Sequence, residues 1–258
     1  MAIRLQKADL WKRISAYLLD VLIIFIVAVA STLVFMSAFK YDSYLTKLAD
    51  KQAAYELEYG IDLNISQEDY NNLSPADKQA YDEKYTALND ALSKDKEVAQ
   101  LYTGIATVCI ASIALGLLVA NGIVYFAIPL FFKNGQTLGK KCFGLAVVRS
   151  SAVKISTPVL FARTFIGQYA IETLFPMFLL VMTVLGFLGT VGLVTLGMFI
   201  VLEVVVMIMS HTNSTIHDLL SDTVVVDLAS QEIFQSYEAL VEHQKAEAAK
   251  KASETDYV

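Results

Sequence analysis

Apolar residues run almost unbroken from Ile14 to Phe39, Tyr102 to Phe132, Leu174 to Gly189 and Gly192 to Met209, while polar residues crowd the stretches between them. A helix rises about 1.5 Å per residue and a hydrocarbon core is about 30 Å thick, so some 20 apolar residues suffice to cross it. The pattern therefore predicts about four transmembrane helices. The last two runs adjoin, and as one helix they would reach about 54 Å, more than a tilted span needs. A reversal near Gly189, Thr190 and Gly192 is the economical arrangement; one kinked or re-entrant segment is the alternative. Between the first two runs the period changes. Tyr41, Leu45, Leu48, Gln52, Tyr55 and Tyr59 recur in steps of three and four, as do Tyr81, Tyr85, Leu88, Leu92, Asp95, Ala99 and Tyr102, which reads as two heptad seams. Gly60 is placed to stop the first helix and Ser74-Pro75 to start the second, giving an antiparallel helical hairpin.

Composition agrees with a membrane protein once the charges are located. Hydrophobic residues make up 55% of the chain and mean hydropathy is +0.51 although the net charge is −6, so the charges must be segregated. Residues 40–100 hold 13 acids and 7 lysines, and the tail from His211 holds 9 acids and 3 lysines. Such an acidic balance argues against a nucleic-acid binder. All four arginines, Arg4, Arg13, Arg149 and Arg163, precede the first apolar run or lie between the second and third. The positive-inside rule then makes those regions cytoplasmic and the hairpin extracytoplasmic. The basic flank Arg4, Lys7, Lys12 and Arg13 resembles a signal peptide's start, but the run after it is too long and lacks a small-residue cleavage site. Cys109 and Cys142 suggest neither a disulfide framework nor a zinc site. The fold class expected is an all-α membrane protein with about four transmembrane helices and a long extracytoplasmic helical hairpin inserted between the first and second. Its parts are a cytoplasmic N-terminus and first span (1–39), the hairpin (40–101), a second span (102–132), a basic cytoplasmic link (133–173), third and fourth spans (174–210), and a cytoplasmic acidic tail (211–258).

Two acids interrupt the apolar runs. Asp20 lies about two turns inside the first, and Glu203 stands in Leu202-Glu203-Val204 of the fourth. Ionisable groups inside a span are costly and mark functional sites by default; pairing with an arginine or a polar neighbour is the other reading. Arg13 and Asp20 share a helical face about 10 Å apart along the axis, so they need a bridging group. Antiparallel helices place Asp20 and Glu203 at similar depth, which predicts a cation or proton path through that pair. Gly135-Gln136-Thr137-Leu138-Gly139-Lys140-Lys141 fails as a phosphate loop: only three residues separate its glycines and no Ser or Thr follows Lys140. His211, His217, Asp218 and Asp222 lack metal-ligand spacing, so no metal or cofactor is expected. Asp218 is read as a latch accepting bonds from Arg13, Arg163 or a helix N-terminus. Beyond Asp227 the tail reads as solvated and partly disordered.

Four blocks together resemble the RDD family of membrane proteins. They are Lys12-Arg13-Ile14-Ser15-Ala16-Tyr17-Leu18-Leu19-Asp20; Gly135 to Lys141 followed by Gly144-Leu145-Ala146-Val147-Val148; Ala162-Arg163-Thr164; and His217-Asp218-Leu219-Leu220 running to Thr223-Val224-Val225-Val226. The resemblance covers about residues 7–227 and makes Arg13, Asp20 and Asp218 the family's arginine and aspartates. It adds Gly135, Thr137, Gly139, Lys140, Gly144, Arg163 and His217 as motif residues. The long insert and Ser221-Asp222, where small residues are more usual, depart from the pattern. What the resemblance implies is a multi-pass protein of the bacterial inner membrane, both termini cytoplasmic, of unassigned and transport-related function. Two function classes follow. One moves a small cation or proton-coupled solute through Asp20 and Glu203; the other moves nothing and holds membrane or envelope partners through the hairpin. An oligomer is compatible with either, and no nucleophile and base point to an enzyme.

Overall fold

A computed structural model describes residues 5–6, 8–132 and 134–255; Arg4, Lys7 and Lys133 lie outside the described residues. In chain order the elements are α1 (Leu10–Ala38), α2 (Tyr41–Tyr59), α3 (Gln67–Asn72), α4 (Pro75–Lys94), α5 (Lys96–Phe131), α6 (Leu138–Cys142), β1 (Leu145–Arg149), α7 (Thr157–Val184), α8 (Gly189–Met209), α9 (Ile216–Leu220), β2 (Thr223–Asp227) and α10 (Tyr237–Thr255). Helices α1, α5, α7 and α8 are long and apolar enough to cross a membrane. Packing divides the chain into residues 30–116 and residues 1–29 with 117–258.

Within residues 30–116, α2 and α4 pack against each other. Leu48 of α2 is buried with Val98 and Leu101 of α5, flanked by Tyr44, Leu92 and Ile105, while Leu45 and Tyr85 are exposed. At Asp95 the second expected seam passes from one helix to the next. That residue ends α4, and its carboxylate accepts from the Glu97 backbone N–H at 2.7 Å and from the Tyr55 hydroxyl at 3.0 Å. Its side chain caps the start of α5 while its backbone N–H closes the end of α4, so the helix breaks at that point.

The larger unit corrects the all-helical expectation. β1 and β2 form an antiparallel pair in which Leu145 faces Asp227 and Arg149 faces Thr223. Both faces of the pair are buried. Leu145, Val147 and Val225 pack on Ala8, Ala16 and Leu160, and Ala146, Val148, Val224 and Val226 pack against Leu5, Leu228 and Ile233. An apolar run this short carries no period, so sequence alone cannot separate strand from helix. The tail also differs from the expectation. Phe234 and Leu240 pack on Ala152, and the Lys154 backbone N–H donates to the Phe234 carbonyl at 2.8 Å, which anchors the start of α10, while residues 245–253 are exposed.

The third candidate span begins at Thr157, not at Leu174, and absorbs the end of the expected link. Its stretch Ala162–Leu174 is π-helical. Bonds from i to i+5 wind about 4.4 residues per turn, so Arg163, Gln168 and Glu172, spaced five and four apart, share one face. In an α-helix the nine residues from Arg163 to Glu172 are about two and a half turns and would point them to opposite sides. These polar residues also dilute the hydropathy, which is why the apolar run seemed to start late. A second π-helical stretch, Gly122–Ala127, lies in α5. The two meet where the buried Thr164 hydroxyl donates to the Tyr125 carbonyl at 2.9 Å. Helices α7 and α8 are separated by a turn at Leu185–Leu188, earlier than the reversal expected at Gly189–Gly192. Thr183 lies against Gly192 and Phe175 against Phe199, as two antiparallel helices require.

Candidate functional site

Asp20 is fully buried on α1 and is engaged by the Gly135–Lys141 turn. Its Oδ2 accepts from the Thr137 hydroxyl at 2.5 Å, its Oδ1 accepts from the Gly139 backbone N–H at 2.8 Å, and Lys140 Nζ stands 3.8 Å from Oδ2. Thr137 is also the N-cap of α6, its hydroxyl accepting from the Lys140 backbone N–H at 3.2 Å. The carboxylate thus occupies a helix N-terminus, where unpaired N–H groups favour an anion. Gln136 Nε2 donates to the Leu145 carbonyl at 2.6 Å, tying the turn to β1. Gly135 and Gly144, with φ of +61° and +66°, bracket the turn in a conformation that suits glycine.

Asp218 gathers the second cluster. Its Oδ1 accepts from Arg163 Nε at 3.1 Å and Nη2 at 2.8 Å and from the Thr223 hydroxyl at 3.2 Å. Its Oδ2 accepts from Arg13 Nη2 at 3.3 Å and from the Thr215 hydroxyl and N–H at 3.1 and 3.4 Å, the capping box of α9. Arg13 also donates to the Thr212 carbonyl at 3.1 Å. Burial alone would raise the Asp218 carboxyl, but the two guanidinium groups outweigh it and hold it below the ordinary value. Arg163 Nη2 lies 2.8 Å from His217 Nε2. A guanidinium only donates, so that nitrogen accepts; Nδ1 then carries the ring proton and donates to Glu172 Oε2 at 2.6 Å. Glu172 Oε1 accepts the His217 backbone N–H at 2.8 Å. One chain of contacts therefore runs Arg13, Asp218, Arg163, His217, Glu172.

That chain forms one wall of a cavity of about 560 Å³, whose lining includes Tyr17, Lys140, Gln168, Glu172, Leu196, Phe199, Ile200 and Glu203. Gln168 Oε1 and Glu203 Oε1 are buried there without a hydrogen-bond partner. Buried acceptors are nearly always satisfied, so these two oxygens, which no protein group engages, are positions for a donor from water or a ligand.

The structure brings Arg13, Arg163, His217 and Asp218 together. It places Gly135, Thr137, Gly139, Lys140 and Gly144 in one turn, with Thr137, Gly139 and Lys140 facing Asp20. It does not make Asp20 and Glu203 a pair. Both Asp20 oxygens are taken, and Asp20 is absent from the cavity lining. Nor does a group bridge Arg13 to Asp20, because Arg13 turns to Asp218. Sequence reasoning missed Gln168 and Glu172, whose alignment exists only on the wide π turn.

Lys140 offers a direct check on the buried turn. Burial, with the Arg163 charge second, pushes its ammonium down to about 8 against the attraction of Asp20; an unfolded lysine titrates near 10.5. Between those values the unfolded chain holds a proton that the folded chain has released, so the Lys140 contribution to stability rises with pH across that window. Melting curves in detergent from pH 7 to 10 are expected to converge toward, or cross, those of Lys140→Met as pH rises. Parallel pH profiles for the two proteins would contradict this.

A family model described as RDD family matches residues 7–222, a range that holds Arg13, Asp20, the Gly135–Lys141 turn, Arg163, Glu203 and Asp218. No curated protein and no solved structure matches the chain.

Proposed function

Because the chain belongs to the RDD family, we propose that it is an integral membrane carrier for a small cation or a proton-coupled solute, with Glu203 rather than Asp20 as the carrying carboxylate. One observation supports the assignment above the rest. Glu203 stands on an apolar span with a buried, unpartnered Oε1 in the wall of the cavity, whereas both Asp20 oxygens are occupied. A carboxylate that must take up and release a positive charge needs a free lone pair. One that holds a turn in place does not. On this reading the Arg13–Asp218–Arg163 cluster and the Asp20 turn are structural.

The basic residues Arg13, Lys140, Lys141, Arg149 and Arg163 favour placing their side of the molecule, and both termini, in the cytoplasm of a bacterium, with the α2–α4 hairpin outside the plasma membrane. The role proposed is transport without bond-breaking chemistry. The test is flux in proteoliposomes under imposed proton, Na⁺ and K⁺ gradients. Glu203→Gln is expected to abolish flux while melting like the wild type, and Asp20→Asn to lower the yield of folded protein. Unchanged flux in Glu203→Gln would remove the assignment. An absence of any flux from folded wild-type protein would shift the role to a scaffold, to be pursued by crosslinking through residues 41–100.

A further inference from the structure

Charge accounting around the cavity leaves one place to fill. Arg13, Lys140 and Arg163 are the cations at its wall; Glu172, Glu203 and Asp218 line it as well, and Asp20 stands behind Lys140. Three basic side chains therefore meet four carboxylates. Arg13 and Arg163 are committed to Asp218 and Lys140 to Asp20, so the unbalanced charge falls on the Glu172 and Glu203 side. Glu172 spends both oxygens on His217. Glu203 Oε1 and Gln168 Oε1 remain open, and Gln168 is only 7% exposed.

The shape of the site narrows what can balance it. A hard divalent cation asks for about six or more oxygen ligands. Here two are free, and among the described residues no group of three or more His, Cys, Asp or Glu stands where it could hold a metal ion. A bare proton would neutralise Glu203 but would leave about 560 Å³ unfilled. That volume is on the scale of pockets for small organic molecules, and Leu196, Phe199, Ile200 and Val204 give it an apolar side.

We propose that the cavity binds an amphipathic organic monocation, a primary or secondary ammonium whose N–H groups donate to Glu203 Oε1 and Gln168 Oε1 while its apolar body lies against Leu196, Phe199 and Ile200. The proposal rests on the carrier reading for its purpose but not for its test. An N–H donor replaces the two missing hydrogen bonds, and its charge closes the balance. The apolar body fills space that water wets poorly.

The experiment is calorimetric titration of the full chain, in nanodiscs of zwitterionic phosphatidylcholine, with n-hexylammonium as the probe. Ammonium lacks the body of this probe, and n-hexanol lacks its charge. Wild-type protein is expected to bind n-hexylammonium saturably at one site per chain, more tightly than either comparison compound. Glu203→Gln should weaken binding roughly 10- to 100-fold, the size of one lost hydrogen bond to a charged group. Gln168→Leu, which keeps the charge, should weaken it by less. No saturable binding, equal binding of n-hexanol, or unchanged binding to a Glu203→Gln protein that melts like the wild type would overturn the proposal. Proton or alkali-cation flux without n-hexylammonium binding would overturn it while leaving the carrier reading intact. Binding without flux of any cation tested would support the site and remove the carrier.

Discussion

Replacing Asp218 by Asn is expected to cost about 3–5 kcal/mol, because removing one partner of a buried ion pair strands the other. Here it strands two. Arg163 and Arg13 have side chains only 2% and 9% exposed and both aim at the Asp218 carboxylate, so an amide in its place leaves two guanidinium groups facing a neutral group. An Asn also presents an NH₂ where at least one cation expects an acceptor. The Thr215 and Thr223 hydroxyls close opposite oxygens of the same carboxylate, and one of them would lose its acceptor as well. Asp222→Asn is the matched control. Its carboxylate pairs with Arg149 at 3.1 Å but is 56% exposed, and exposed pairs are worth about 1 kcal/mol or less. Thermal unfolding in detergent checks the contrast. Similar losses for the two variants would mean that Asp218 is not the keystone described. Arg13→Met in the Asp218→Asn background should recover part of the loss, since it removes one stranded charge, and this non-additivity separates a charge effect from a packing effect. The pH dependence has a definite sign. The Asp218 carboxyl is held below its ordinary 3.8, so its contribution is complete above that value and is lost only as pH falls below it.

Which of these residues the sequence could reveal follows from the range over which each interaction acts. Apolar runs and charge segregation are local properties, and four apolar helices are found. Arg13, Asp20, Asp218 and the Gly135–Lys141 turn were readable through resemblance, because their residue types recur in one order at the span boundaries. What Asp20 does was not. Its partners are Thr137 and Gly139, more than a hundred positions away, and a helical wheel drawn on α1 offers it only Arg13. Glu172 and Gln168 were hidden for a different reason: an α-helical period puts Arg163 and Glu172 on opposite faces, and only the π turn reverses that. The strands were hidden by their shortness, since Leu145–Val148 and Val224–Val226 are apolar runs without a period until they find each other. Glu203, half-buried with its Oε1 enclosed, is the site residue visible early whose partner was misassigned, from depth alone, to Asp20.

Adding a single methyl group at Gly139 is expected to do comparable damage by another route. A Cβ built there falls 2.1 Å from the Ala16 carbonyl oxygen and 2.8 Å from Asp20 Oδ1, so Gly139→Ala cannot be absorbed by turning a side chain. The obstacle is the backbone of α1. Either α6 withdraws, breaking the bond from the Gly139 N–H to Asp20 and lengthening that from Thr137, or α1 bends away from β1, on which Ala16 packs through Leu145 and Val147. Overpacking of a tight interior costs about 1–3 kcal/mol. The lost hydrogen bonds to a buried carboxylate add about 1.5–3 kcal/mol each. The expected outcome is a melting temperature lower by on the order of 10 °C, with the largest gain in hydrogen exchange at residues 137–142. Asp20→Asn keeps one acceptor for either Thr137 or Gly139 and should be milder. If Gly139→Ala left both the melting temperature and exchange at residues 137–142 unchanged, α1 and the turn would not be in the contact described. The reading of Asp20 as a structural anchor would then fall, and its claim to carry charge would return.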